Sequence, residues 1–201
     1  MSARRDYALS TLLPPLEIKD LPRPVDLRKI FACTEVIIDF GSGMGDHTLA
    51  LARSQGDLGF LAIDVHTVGL CEIAQFSHDE KLSNIRVHHG DGIDVLKGWL
   101  FQNSISEVHI LFPDPWPKLR HHKRRLIQQD FINLVANVLQ PNGKVRFITD
   151  DDSYFDHACK EFEANSNFEV LHENWEAPLT TYHKRALRLG HTISGRSFKK
   201  L

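Results

Sequence analysis

Short apolar runs alternate with amphipathic stretches along most of this chain. Residues 35–40 (EVIIDF) are apolar until they meet a cluster of glycines, which predicts a buried strand. Residues 59–63 (GFLAI), 85–88, 107–112 (EVHILF), 144–149 (KVRFIT) and 168–171 repeat that signal. Between them, 44–52, 68–76, 92–100 and 153–164 read as helices. The clearest helix carries Ile127, Phe131, Leu134, Val135 and Val138 at helical spacing, one apolar face. Pro141, Asn142 and Gly143 end it and turn the chain. The tail, 188–198, supplies a seventh strand with a break at Gly190. Strands alternating with helices build βαβ units, so the expected class is α/β, a mostly parallel sheet with helices on both faces. The first thirty residues hold Pro14, Pro15, Pro22 and Pro24 and read as an irregular arm over one domain.

Composition narrows this picture without redirecting it. The chain has 201 residues, 42% of them hydrophobic and 25% charged, which fits one globular domain rather than disorder. No apolar run is long enough to span a bilayer, and no leader peptide opens the chain. The three cysteines, Cys33, Cys71 and Cys159, form no C-x-x-C pair. They suggest neither zinc nor a disulfide framework, and the expected compartment is the reducing cytoplasm, with no membrane partner. The net charge is -2, but its distribution is uneven: acids gather at 150–152 and bases at 118–125 and 184–200. An uneven distribution leaves nucleic acid open as a partner. Oligomeric state is not readable from these patterns.

The glycines after the first strand are the first candidate for chemistry. The stretch reads Asp39-Phe40-Gly41-Ser42-Gly43-Met44-Gly45 between a strand and a helix, as a nucleotide-binding turn requires. Its spacing is G-x-G-x-G, and Asp46 follows at the helix start. An acid there repels the phosphate that a dinucleotide site places at a helix N-terminus. Acids on both sides of the loop suit a cationic ligand, such as a sulfonium with its amino group. Asp64 ends the second strand, where an acid takes ribose hydroxyls, and Asp91 ends the third, placed for an adenine amino group.

The fourth strand runs into Phe112-Pro113-Asp114-Pro115-Trp116-Pro117-Lys118, then Leu119-Arg120-His121-His122-Lys123-Arg124-Arg125. Proline ends the strand and stiffens the loop, holding Asp114 and Trp116 in fixed directions. Trp116 offers a plane for a base, Asp114 a carboxylate for positive charge, and the basic run a grip on phosphates. Adjacent His121 and His122 have poor geometry for joint ligation, and no metal is expected.

The loop, the FPDPWPKLRHHKRR stretch and Thr149-Asp150 resemble the tRNA (guanine-N7-)-methyltransferases, from about residue 36 to the C-terminus. The resemblance implies a Rossmann-like sheet with an antiparallel last strand, S-adenosylmethionine as cofactor and N7 of a guanine in the tRNA variable loop as acceptor. It implies cofactor contacts at Asp39, Asp64, Asp91 and Asp114, with Asp114 also catalytic, beside the loop candidates Gly41, Ser42 and Gly43 read from the glycine turn itself. It implies substrate contacts at Lys118 and Asp150, and in Thr180-Thr181-Tyr182-His183, which matches a T-x-F-E segment; Trp116 and Arg120 are the substrate candidates that the loop's own chemistry adds. This chain departs from the family pattern with aspartate for glutamate at Asp39 and Asp64, and with His183 for glutamate. Other readings stay open: methyl transfer to another RNA position or a small molecule, and a non-catalytic RNA-binding module of the same fold. A nicotinamide oxidoreductase is disfavoured by the loop spacing.

Overall fold

The computed structural model describes residues 3–201. The Val/Ile runs become strands β1 (Val36–Phe40), β2 (Gly59–Asp64), β3 (Ile85–His89), β4 (Ile105–Leu111), β5 (Leu139–Thr149), β6 (Phe168–Leu171) and β7 (Ser194–Lys200). They join in one sheet in the order β3-β2-β1-β4-β5-β7-β6. All neighbours are parallel except β7, which is antiparallel to both β5 and β6. Strand order reverses direction between β1 and β4, and such a switch point opens a crevice at the carboxyl ends of the strands.

Each face of the sheet buries its own core. Val36 and Ile38 of β1, with Leu61 and Ile63 of β2, pack with helices α5 (Gly92–Gly98), α6 (Gln129–Val138) and α7 (Asp152–Glu163). Ile37 and Phe60 point the other way, to α3 (Asp46–Ser54) and α4 (Thr67–Glu80). This alternation along each strand is why both flanks of β1 and β2 must be apolar.

The N-terminal arm corrects the expectation of irregularity. Ala3–Tyr7 is α1, Ala8–Leu12 a single π turn and Pro14–Leu16 a 3-10 turn, and Leu27–Phe31 is a further helix, α2. Ala8 and Leu13 are buried in the core beside α4, and the Ile18 amide bonds to the Val87 carbonyl at the β3 edge. Apolar contact with α4 orders a stretch whose local prolines predict none. The strand before the FPDPW segment also ends one residue early. Phe112 still donates its amide to the Ile148 carbonyl, but its φ of 51° turns the chain off the sheet. β5, conversely, starts at Leu139, ahead of the expected turn at Pro141–Gly143, with Asn142 left-handed inside it at φ 64°. The tail divides at Gly190: β7 follows it, and an unexpected helix, α8 (Thr181–Arg188), precedes it.

Candidate active site

The crevice at the β1/β4 switch holds a cavity of about 200 Å³. Asp39, Gly41, Ser42, Gly43, Asp46, His47 and Asp64 line it, with Leu111, Phe112, Thr180 and Tyr182 across from them. The glycine loop folds back onto β2: the amides of Gly41 and Ser42 both donate to the Ile63 carbonyl at 2.9 Å. Gly45 has φ 82°, and a Cβ there would meet Ile73 Cγ1 at 2.2 Å, so glycine is required twice over. Gly69 lets α4 approach the loop, because a Cβ on it would lie 1.5 Å from the Gly43 carbonyl oxygen.

Asp39 is 3% exposed and accepts from the Thr48 hydroxyl at 2.6 Å. Burial pushes its carboxyl up to about 6, against the pull of that hydrogen bond. Asp64 is 8% exposed and accepts the Gly43 amide at 2.8 Å on one oxygen and the His66 amide at 2.7 Å on the other. Each oxygen keeps a lone pair for a ligand. Asp91 caps α5 by accepting the Ile93 amide at 2.8 Å; it is exposed and lies outside the lining of this cavity.

Asp114, Lys118 and Arg120 are exposed in the loop after β4, also outside the lining. Trp116 is half-buried and left-handed at φ 46°, with Arg124 4.9 Å above its ring and His121 edge-on at 6.0 Å. Arg125 departs from the expected phosphate grip. It is 3% exposed and donates to the Pro115 carbonyl (2.9 Å), the Ser153 carbonyl (3.1 Å) and the Ser153 hydroxyl (2.8 Å). It fastens the proline loop to the start of α7, and its charge is unavailable to phosphate. Asp150, after β5, meets His191 Nδ1 at 2.8 Å.

The 180–183 segment sits at the start of α8. The buried Thr180 hydroxyl caps the helix by accepting the His183 amide at 3.1 Å, and the Thr181 amide donates to Asp46 at 2.7 Å. Tyr182 lies against Gly43, and His183 packs edge-on to Phe112 at 5.6 Å. Burial lowers the His183 pKa. Two segments 135 residues apart thus close on the same cavity.

Sequence reasoning missed a buried polar row beside this cavity. Asp39, His109, Arg146 and Ser197 are neighbours across β1, β4, β5 and β7. His47 Nε2 lies 2.8 Å from His109 Nδ1, and His109 Nε2 lies 2.9 Å from Glu107. Arg146 donates to both Glu107 oxygens (2.9 and 3.2 Å) and to Ser197 (2.8 Å), and pairs with Glu173. Burial raises the Glu107 pKa, but bonds from His109 and Arg146 outweigh that and hold it at about 2. Trp175 covers the row, with ring contacts to His47, His109 and Arg146. The available signal was Glu107 and His109 two positions apart in β4 and Arg146 between Val145 and Phe147 in β5.

The residues present fit a cationic nucleoside ligand. The wall is acidic at Asp39, Asp46 and Asp64, and two of its buried polar atoms, Ser42 Oγ and His47 Nδ1, have no hydrogen-bond partner. Among the described residues no cluster of metal-ligating side chains occurs, and no helix is long and apolar enough to cross a membrane.

Comparison with known proteins places the chain among methyltransferases. Residues 34–195 match the family model "Putative methyltransferase". A tRNA (guanine-N(7)-)-methyltransferase of Nitrosomonas europaea is 38% identical over 193 residues, covering 93% of this chain and 86% of that protein. One of the same name from Legionella pneumophila (strain Paris) is 34% identical over 203 residues, 96% of this chain and 86% of the relative. Two solved structures share the fold. The 16S rRNA methyltransferase KamB aligns with TM-score 0.64 at 14% identity, over 87% of this chain and 92% of that one. The aminoglycoside resistance methyltransferase NpmB1 aligns with TM-score 0.61 at 18% identity, over the same shares, 87% and 92%.

Proposed function

The chain belongs to the tRNA (guanine-N7-)-methyltransferase family, and on that premise we propose that it methylates N7 of a guanine in the variable loop of tRNA, in the cytoplasm, as one domain. The observation that carries the proposal is that the FPDPW loop leaves the sheet at the β1/β4 crevice: Phe112 lines the cavity, and Asp114, Lys118, Arg120 and Arg124 after it are exposed. S-adenosylmethionine, when bound, supplies a methyl group on a positively charged sulfonium. Asp39, the Gly41–Gly43 backbone and Asp64 hold its cationic and ribose portions. Asp91, exposed at the start of α5 after β3, takes the adenine amino group.

Guanine N7 carries a free lone pair, so no residue has to remove a proton before attack. The chain's work is therefore alignment and charge stabilisation. Asp114 faces the acceptor base and stabilises the positive charge that methylation leaves on it. Trp116, Lys118 and Arg120 hold the RNA backbone and bases around it, and Asp150 with 180–183 closes the other side. This division needs no catalytic base, in keeping with an exposed Asp114 that makes no hydrogen bond to a base partner.

The test is incorporation of labelled methyl from S-adenosylmethionine into bulk tRNA, followed by nucleoside analysis. The expected result is 7-methylguanosine as the labelled product. Label on another nucleoside, or on no RNA at all, rejects the proposal.

A further inference from the structure

Charge around the buried row decides which nitrogen of each histidine carries its proton. Two carboxylates, Glu107 and Glu173, meet two cations: Arg146 touches both, and Lys144 reaches Glu173 at 3.3 Å. His109 is 1% exposed between these pairs and His47, and burying a charged ring costs more than burying a neutral one, so the neutral ring is the favoured form. A carboxylate only accepts, so His109 must present its N–H to Glu107 from Nε2. A neutral ring then has a bare Nδ1, and His47 must donate to it from Nε2. That leaves the lone pair of His47 on Nδ1. This nitrogen is buried, has no partner, and belongs to a side chain 2% exposed on the cavity wall. Burial pushes the His47 pKa down to about 3, so the ring is neutral at any ordinary pH.

A fixed, neutral hydrogen-bond acceptor without a donor needs a donor from the ligand, because an unsatisfied buried polar atom is costly. Asp39, on the same wall, supplies negative charge beside it. The ribose and adenine ends of the ligand are assigned to the β2 and β3 strand ends, which leaves the amino-acid end for β1 and β4.

We propose that His47 is a further cofactor-binding residue: its Nδ1 accepts a hydrogen bond from the α-ammonium group of S-adenosylmethionine. His109 and Glu107 are positioning residues that set the tautomer and touch no ligand themselves. The inference rests on the cofactor reading above and adds to it the group that recognises the amino-acid end.

The test uses S-adenosylhomocysteine, which keeps the ammonium, and 5′-methylthioadenosine, the same nucleoside without the amino-acid end. Calorimetry on the full chain is expected to show S-adenosylhomocysteine binding weakened about 10- to 100-fold by His47→Phe, the loss of a hydrogen bond to a charged donor. Methylthioadenosine affinity is expected to stay unchanged. Equal weakening of both ligands, or of neither, overturns the proposal. Because His47→Phe also strips His109 of a donor and can lower stability, a second readout uses the unaltered protein. In ¹⁵N NMR, His47 Nδ1 is expected to resonate as an unprotonated ring nitrogen and to move on adding S-adenosylhomocysteine but not methylthioadenosine. A protonated Nδ1, or one that both ligands move alike, overturns it. Failure of the unaltered protein to bind S-adenosylhomocysteine removes the cofactor reading itself and is distinct from these results.

Discussion

At the ends of β1 and β2 the polar groups are buried and hold one another: Asp39 on Thr48, Asp64 on two backbone amides, His47 on His109. In the loop after β4 they face outward, with Asp114, Lys118 and Arg120 exposed. The first region is preorganised for a small ligand that fits one way. The second presents charge to a large anion whose position is set from many points. Substitutions in the first region should therefore change ligand affinity and fold stability together. Substitutions of the exposed groups in the second should change turnover or RNA affinity and leave stability alone.

Asp114→Asn tests that separation with the largest expected effect. Loss of a charge-stabilising carboxylate should lower kcat on tRNA about 100- to 1,000-fold. The affinity for S-adenosylhomocysteine and the melting temperature should not move, because Asp114 is exposed and lies outside the cavity lining. A parallel loss of cofactor affinity in calorimetry would join the two regions that the account keeps apart.

Asp39→Asn is the mirror case. It should weaken S-adenosylhomocysteine binding about 100-fold, as expected for losing a charged partner in a buried site. The ligand-free protein should respond in the opposite sense. Asp39 titrates at about 6 in the fold against 3.8 ordinarily, so between those values the folded state binds the proton more tightly. Its contribution to stability is complete below 3.8 and is lost as pH rises through about 6. Moving the carboxyl from 3.8 to about 6 corresponds to roughly 3 kcal/mol. Thermal melts should show the asparagine variant more stable than the parent at pH 7 and lacking that pH dependence between 4 and 6.

Arg125 and Arg124 sharpen the comparison within one basic run. Arg125→Ala should destabilise by about 2–4 kcal/mol, read by denaturant unfolding, since it leaves two carbonyls and a hydroxyl without their donor. Arg124→Ala, at an exposed neighbour over Trp116, should leave stability within about 0.5 kcal/mol. It should instead weaken tRNA binding and lower the salt dependence of that binding by about one counterion.

The smallest effect is expected at His183, where the family pattern has glutamate. His183→Glu restores a negative charge beside Phe112 and should lower the KM for tRNA severalfold, with kcat little changed.

How much of this was readable before any coordinates depends on whether the cause is local. The strand runs and the glycine loop are local signals, and β1, β2 and the loop between β1 and α3 lie where the periodicity puts them. α8 was invisible because its sequence, Thr181–Arg188, carries few apolar residues; Ala186 is its buried residue, and Asp46 anchors its start from far along the chain. The arm is ordered by contact with α4, another non-local cause. Arg125 was misread because a charge run does not show which member turns inward. The polar row was missed because Glu107, His109 and Arg146 each sit among apolar neighbours, and only sheet register brings them together. Asp39, Asp64 and the loop line the cavity, while Asp91 and Asp114 lie outside its lining.

The central claim is the acceptor atom, and one measurement addresses it directly. A single purified tRNA is methylated with S-adenosylmethionine, then reduced with borohydride and cleaved with aniline, which breaks the chain at 7-methylguanosine. The account predicts one break, in the variable loop, absent when the Asp114→Asn variant replaces the parent protein. Methyl incorporation with an intact RNA chain, or a break elsewhere, would contradict it.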